Sequence, residues 1–125
     1  MNKTKVFVYG TLKKGNSHRG LDRWAPNAKF IGAAVTSKPS YSLYDLGAFP
    51  AAHLNGDSLI LGEVWEVDNE TMQDLDQIEG YPDFYKRTQV STTYGIAWMY
   101  HIPDIKNYNA TYIVPDTTQI ASWRE

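Results

Sequence analysis

Residues 69–82 run Asn-Glu-Thr-Met-Gln-Asp-Leu-Asp-Gln-Ile-Glu-Gly-Tyr-Pro and spell a helix with both ends marked. Asn69 starts it, and Gly80 with Pro82 ends it. Met72, Leu75 and Ile78 supply its apolar positions. At 100° per residue from Met72, Leu75 falls at about 300° and Glu79 at about 340°. Glu79 is therefore in line with Met72 and Leu75 and does not face away from them. A charge on an apolar stripe is costly unless it is paired or neutralised. The partial negative charge of a helix C-terminus acts in the same direction. The sequence thus predicts a raised pKa for Glu79, as suits a general base near neutral pH. The plainer reading puts Glu79 at the rim of the stripe, reaching water along its stem.

Around this helix the chain is β-prone. Lys5-Val6-Phe7-Val8-Tyr9 is a short strand stopped by Gly10, and Gly10-Thr11-Leu12-Lys13-Lys14-Gly15 follows as a loop. Asn16 can cap a short helix through about Arg23, with Leu21 and Trp24 as its apolar contacts. Residues 30–36 and 41–44 read as strands, the second leading into a turn-rich segment at 45–50. Residues 59–67 form the strongest strand. Gly62 inside it points to a bulge or to a ligand approaching the backbone closely. Residues 87–93 and 96–102 read as a hairpin around Tyr94-Gly95. From residue 103 onward Asn, Asp and Thr recur without a clear period. Many strands and few helices predict an α+β fold with a curved, barrel-like sheet, in a single domain over residues 1–125.

Composition narrows the function. The net charge of −2 gives no electrostatic footprint for nucleic acid or an anionic membrane. Lys13, Lys14, His18, Arg19 and Arg23 form a local positive cluster, suited to a small anion. Absence of cysteine removes thiolate catalysis, disulfides and thiolate metal sites. No apolar stretch approaches the length of a membrane span, and no signal-peptide core is seen, so a soluble cytoplasmic protein is expected.

Several chemistries fit poorly. The loop after the first strand lacks the phosphate-loop spacing, which argues against nucleotide binding. His18, His53 and His101 have no metal-ligand spacing, and no Gly-x-Ser-x-Gly elbow is present. Neither a metal nor another cofactor is expected. Asp76 and Glu79 lie about 5–6 Å apart at Cβ on one helix turn, unlike the opposed carboxylates of a glycosidase. Asp76 is read as a solvated or structural partner. What remains is the loop itself, where successive backbone N–H groups can cradle a carboxylate or phosphate, or simply make a tight turn. Tyr85 can line a cleft, and Arg87 can pair with a carboxylate, although ordinary strand pairing would explain both. Trp65, Trp98 and Tyr100 read as core residues.

Three segments together resemble the γ-glutamylcyclotransferase-like superfamily, in particular its γ-glutamylaminecyclotransferases and short bacterial members. They are Val6-Phe7-Val8-Tyr9-Gly10-Thr11-Leu12-Lys13-Lys14-Gly15, then Gly62-Glu63-Val64-Trp65, then Leu75-Asp76-x-x-Glu79-Gly80-x-Pro82-x-x-Tyr85-x-Arg87. The resemblance implies a small mixed β-barrel flanked by short helices, with a cleft beside the first loop. It also implies that the α-amine of a γ-glutamyl group attacks its own γ-carbonyl, giving 5-oxoproline and a free amine or amino acid. Glu79 would be the general acid and base. The backbone of Gly10, Thr11 and Leu12 would hold substrate oxygen, with Tyr9, Tyr85 and Arg87 completing the pocket. Many relatives carry Ser where this chain has Thr11, a change that keeps the backbone donors. Such ring closure needs no protein nucleophile or metal. The partner implied is a small γ-glutamyl molecule. The alternative is a binding module that keeps the pocket without turnover.

Overall fold

Val6, Phe7, Val8 and Tyr9 are all buried, which a strand with one wet face would not allow. The computed structural model describes residues 3–15 and 20–123 and gives the reason: the first strand lies inside a sheet covered on both sides. In chain order the elements are β1 (Lys3–Val8), α1 (Leu21–Trp24), β2 (Lys29–Val35), β3 (Tyr41–Asp45), β4 (Pro50–Asp68), α2 (Asn69–Ile78), β5 (Lys86–Thr92) and β6 (Gly95–His101). A 3-10 turn (Ile105–Asn107), β7 (Thr111–Tyr112) and β8 (Ile120–Ala121) complete the chain. Val6 and Val8 pack with Leu12, Trp65 and Leu75 on one side of β1, whereas Phe7 and Tyr9 pack with Leu43, Val64 and Met99 on the other.

The sheet is mixed. Its order is β5-β6-β1-β4-β3-β7, with β2 and β8 also paired to β4. β1 runs antiparallel to β4 and parallel to β6. This path is open, so the closed barrel expected from the resemblance is not what the described strands form. The ends of β2 and β5 meet only at a single bridge, Thr36 with Thr92. Two backbone bonds support it, from the Ser37 N–H to the Ser91 carbonyl and from the Thr93 N–H to the Val35 carbonyl. These contacts curl the sheet without building a ladder between the two strands.

β4 starts well before the expected residue 59, in a segment that reads as a turn. Ala51 and Ala52 are fully buried and pair with Tyr44 and Leu43, so tertiary pairing overrides the local turn signal. Its pairing with β3 jumps from Ser58 to His53 between adjacent residues Tyr41 and Ser42, which sets residues 54–57 outside the ladder. A Cβ on Gly62 would strike the Val8 carbonyl oxygen and come within 2.7 Å of the Phe7 ring. The close approach inferred at Gly62 is thus that of β1 and not of a ligand.

α2 begins where the Asp68 side chain accepts a hydrogen bond from the Thr71 N–H at 2.8 Å, a standard N-cap. It buries Thr71, Met72 and Leu75, but Ile78 is 46% exposed and leaves the expected stripe. Gly80 at φ +66° ends the helix in the left-handed region, and its N–H bonds to the Gln77 carbonyl. The chain then doubles back: the Phe84 N–H reaches the Gly80 carbonyl at 2.7 Å and the Tyr85 N–H reaches that of Glu79 at 3.2 Å. β5 therefore starts beside the helix end. α1 is shorter than the helix expected from Asn16; Asn16 itself lies outside the described residues. The tail without a clear period buries Ile105, Ala121 and Trp123 against the sheet. No helix among the described residues is long and apolar enough to cross a membrane.

Candidate active site

The end of β1, the end of α2 and the start of β4 converge on a cleft of about 560 Å³, its open mouth included. Tyr9, Gly10, Thr11 and Leu12 form one side. Ile78 and Glu79 contribute from the helix end, and Phe84 and Tyr85 from the segment that doubles back. Phe49 and Pro50 enter from the start of β4, and Tyr100 from β6. Of the expected site residues, six meet here: Tyr9, Gly10, Thr11, Leu12, Glu79 and Tyr85.

The loop is a tight turn, with the Lys13 N–H on the Gly10 carbonyl at 3.1 Å. The Leu12 carbonyl accepts the Leu21 N–H at 3.0 Å, which ties the loop to α1. Among the described residues no acceptor meets the backbone N–H of Thr11 or of Leu12, so these donors are available to a ligand. Gly10 is not required for its φ. A Cβ there would lie 2.7 Å from Pro50 Cγ and 2.8 Å from Pro50 Cδ, and that contact is what demands glycine. The Lys14 N–H donates to Glu63 Oε1 at 2.8 Å, and the same oxygen accepts the Trp65 indole N–H at 3.1 Å. The Gly-Glu-Val-Trp strand thereby holds the far end of the loop.

The two lysines expected to strengthen an anion site face elsewhere. Lys13 Nζ donates to the Trp123 carbonyl at 3.1 Å, and Lys14 Nζ sits 5.1 Å from the Phe30 ring centroid. His18 and Arg19, from the same positive cluster, lie outside the described residues.

Glu79 is the C-cap of α2 and is half-buried. Among the described residues it is the one carboxylate lining the cleft. Three tyrosines surround it, and all have spent their hydroxyls on the fold. Tyr9 donates to the Tyr100 carbonyl at 2.7 Å and accepts the Ala52 N–H at 2.8 Å. Tyr85 donates to the Pro50 carbonyl at 2.7 Å. Tyr100 donates to Asp76 Oδ1 at 2.7 Å. Burial is the main reason that all three hydroxyls are pushed far above the usual tyrosine range, and the Glu79 charge adds to each. The tyrosines therefore stay protonated and present rings, not bases, to the cleft.

Arg87 does not line the cleft. Its Nε and Nη2 donate to the two oxygens of Asp76 at 2.9 and 3.3 Å, and its guanidinium lies 4.7 Å from the Tyr81 ring and 4.4 Å from the Trp98 ring. The expectation of Arg87 as a substrate contact is replaced by that of a brace holding α2 against β5 and β6. Asp76 is the structural partner that the sequence suggested. Among the described residues no group of three or more His, Cys, Asp or Glu is placed to hold a metal.

Sequence reasoning missed Phe7, Val8, Phe49, Pro50, Ile78, Phe84 and Tyr100 as lining residues. Phe7 and Val8 lie within the first matching segment, and Ile78 and Phe84 stand directly before Glu79 and Tyr85 in the third, whereas Phe49, Pro50 and Tyr100 carried no such signal.

Comparison with known proteins adds a family. Residues 6–124 match the model of the family described as "Gamma-glutamyl cyclotransferase, AIG2-like". The "Gamma-glutamylcyclotransferase family protein YtfP" of Escherichia coli K12 is 41% identical over 98 residues, covering 77% of this chain and 80% of the relative. A bovine "Gamma-glutamylaminecyclotransferase" is 34% identical over 128 residues, covering 84% of this chain and 75% of the relative. The solution structure of ytfP from Escherichia coli superposes with a TM-score of 0.68 at 33% identity, over 98% of this chain and 97% of that one.

Proposed function

The chain belongs to the gamma-glutamyl cyclotransferase, AIG2-like family, and from that membership and its cleft we propose that it is an enzyme converting a γ-glutamyl amine or γ-glutamyl amino acid to 5-oxoproline. The observation that carries the reading is the pairing, in one cleft, of a single carboxylate with a loop whose Thr11 and Leu12 N–H groups have no acceptor among the described residues. Glu79 takes a proton from the α-ammonium of the substrate. The freed amine attacks the γ-carbonyl carbon of the same molecule, and the carbonyl oxygen gains negative charge. The backbone N–H groups of Thr11 and Leu12 stabilise that oxygen without reorganising. The amide C–N bond then breaks. Of the α-ammonium protons, one stays on the ring nitrogen and the others pass to the departing amine, with Glu79 as relay. The nucleophile belongs to the substrate, so holding the chain in a folded conformation supplies much of the rate.

The test is release of 5-oxoproline from a panel of γ-glutamyl compounds by the wild-type chain and by Glu79→Gln. A rate that rises with pH in wild type, and disappears in the variant, supports the proton relay. Binding without product in every case supports a binding module instead. Release of glutamate would mark a hydrolase.

A further inference from the structure

We propose that the outer wall of the cleft is a subsite for the leaving amine, and that it selects amines with an aromatic or alkyl group and no carboxylate. This inference rests on the cyclisation reading above. Phe49 and Phe84 stand edge to face, with centroids 6.0 Å apart and planes at 85°. Phe84 continues to Tyr108 at 5.4 Å and 78°. The ladder thus passes from two half-buried rings that line the cleft to a third that is 38% exposed at the surface. Ile78 borders the same cleft at 46% exposure. Apolar area left open beside a polar reaction centre is what a hydrocarbon ligand would cover.

The polar groups of the cleft already have work to do. In the cyclisation reading the α-ammonium of the γ-glutamyl part faces Glu79, and its oxygens face the N–H donors of Thr11 and Leu12. The hydroxyls of Tyr9, Tyr85 and Tyr100 are bonded within the fold. A leaving group therefore meets the rings of Phe49 and Phe84 and the side chain of Ile78. A carboxylate on it would be desolvated by those side chains and would share the cleft with the like charge of Glu79. An aromatic or alkyl group would bury against the same side chains and gain by it.

The test compares kcat/KM for 5-oxoproline release from the γ-glutamyl amides of methylamine, phenethylamine and phenylalanine. The phenethylamide should exceed the methylamide by about tenfold or more, the scale on which an apolar pocket discriminates. The phenylalanine conjugate, with the same ring plus a carboxylate, should fall below the phenethylamide. Phe84→Ala should bring the first ratio towards one. Phe84 also packs on Tyr85, so a second variant at an exposed position guards against misfolding: Ile78→Lys adds a cation to the wall and should raise the phenylalanine conjugate relative to the phenethylamide. Equal values for the methyl and phenethyl amides overturn the subsite. So does a preference of wild type for the phenylalanine conjugate, or ratios unmoved by both variants. No 5-oxoproline from any of the three overturns the cyclisation reading instead. Calorimetric affinities of the two amides would then decide the subsite, tighter phenethylamide binding supporting it and equal binding overturning it.

Discussion

Asp76 and Glu79 leave the same helix one turn apart and meet opposite surroundings. Asp76 faces β5 and β6, where Arg87 takes both of its oxygens and Tyr100 bonds one of them. Its side chain and that of Arg87 are each only about a fifth exposed, so this charge is neutralised inside the structure. Glu79 sits at the helix end and lines the cleft opposite the loop of residues 10–12. One carboxylate fastens the helix in place, and that fastening aims the other. An acidic residue near an apolar stripe is therefore not by itself a functional signal. Its surroundings matter: a cation and a tyrosine make Asp76 a brace, whereas Glu79 lines the cleft in which the proposed reaction needs a base.

Four substitutions test this contrast, and the largest effect is expected at Glu79. Glu79→Gln keeps the shape and removes the proton relay, so turnover should fall by about a hundredfold or more while thermal unfolding stays near wild type. A variant with turnover within a factor of a few of wild type would assign the relay elsewhere. Gly10→Ala is next. Its Cβ must displace the Pro50 ring, and Pro50 also supplies the carbonyl that holds the Tyr85 hydroxyl. Overpacking of this kind costs about 1–3 kcal/mol, and kcat/KM should drop through the displaced loop. An unchanged melting temperature and unchanged kinetics would show that the Pro50 contact is soft.

Asp76→Asn should show the reverse profile to Glu79→Gln. The amide can still accept one bond, but it sets an NH2 against the donors of Arg87 and loses the charge. Stability should fall by about 1–3 kcal/mol in denaturant unfolding, with a smaller loss in kcat than at Glu79. If Asp76→Asn abolishes turnover at full stability, the two carboxylates act as a pair and the contrast fails.

The smallest effect concerns His101, behind the brace on β6. It is 7% exposed, and among the described residues its Nδ1 has no hydrogen-bond partner. Burial lowers its pKa below the usual histidine value, and the neighbouring His53 and Lys86 add to the shift. The unfolded chain then binds a proton more readily than the folded one. Stability from this group is complete above about pH 6.5 and is lost as pH falls through the lower folded value. His101→Leu should flatten the acid limb of a melting-temperature profile and leave the cleft kinetics alone. An unaltered acid limb would place the pH sensitivity in other groups.

Much of the fold was written locally. Gly80 and Pro82 stop α2, Gly95 turns the β5–β6 hairpin at φ +95°, and the run of four apolar residues from Val6 marks a strand buried on both faces. The loop after β1 and the position of Glu79 could be read because each follows from a chain terminator, a signal carried by one or two residues. The start of β4 could not be read. Pro50, Ala51 and Ala52 have weak strand preference and become strand only because β3 lies beside them. Arg87 was misplaced for a related reason. A cation near a presumed site can serve the ligand or the scaffold, and its sequence position is the same either way.

Local preference alone gives the order of elements as far as β6, the helix stop that carries Glu79, and the glycine turn after β1, because these depend on backbone preferences of single residues and their neighbours. Tertiary structure decided that the sheet stays open, that Asp76 belongs to Arg87 and Tyr100, and that Phe49 and Phe84 meet over the cleft. The side-chain contacts among them join residues 11 to 35 positions apart, and the sheet pairings join residues farther apart still. They depend on which surfaces can be buried together once the whole chain has folded, and no local preference encodes that.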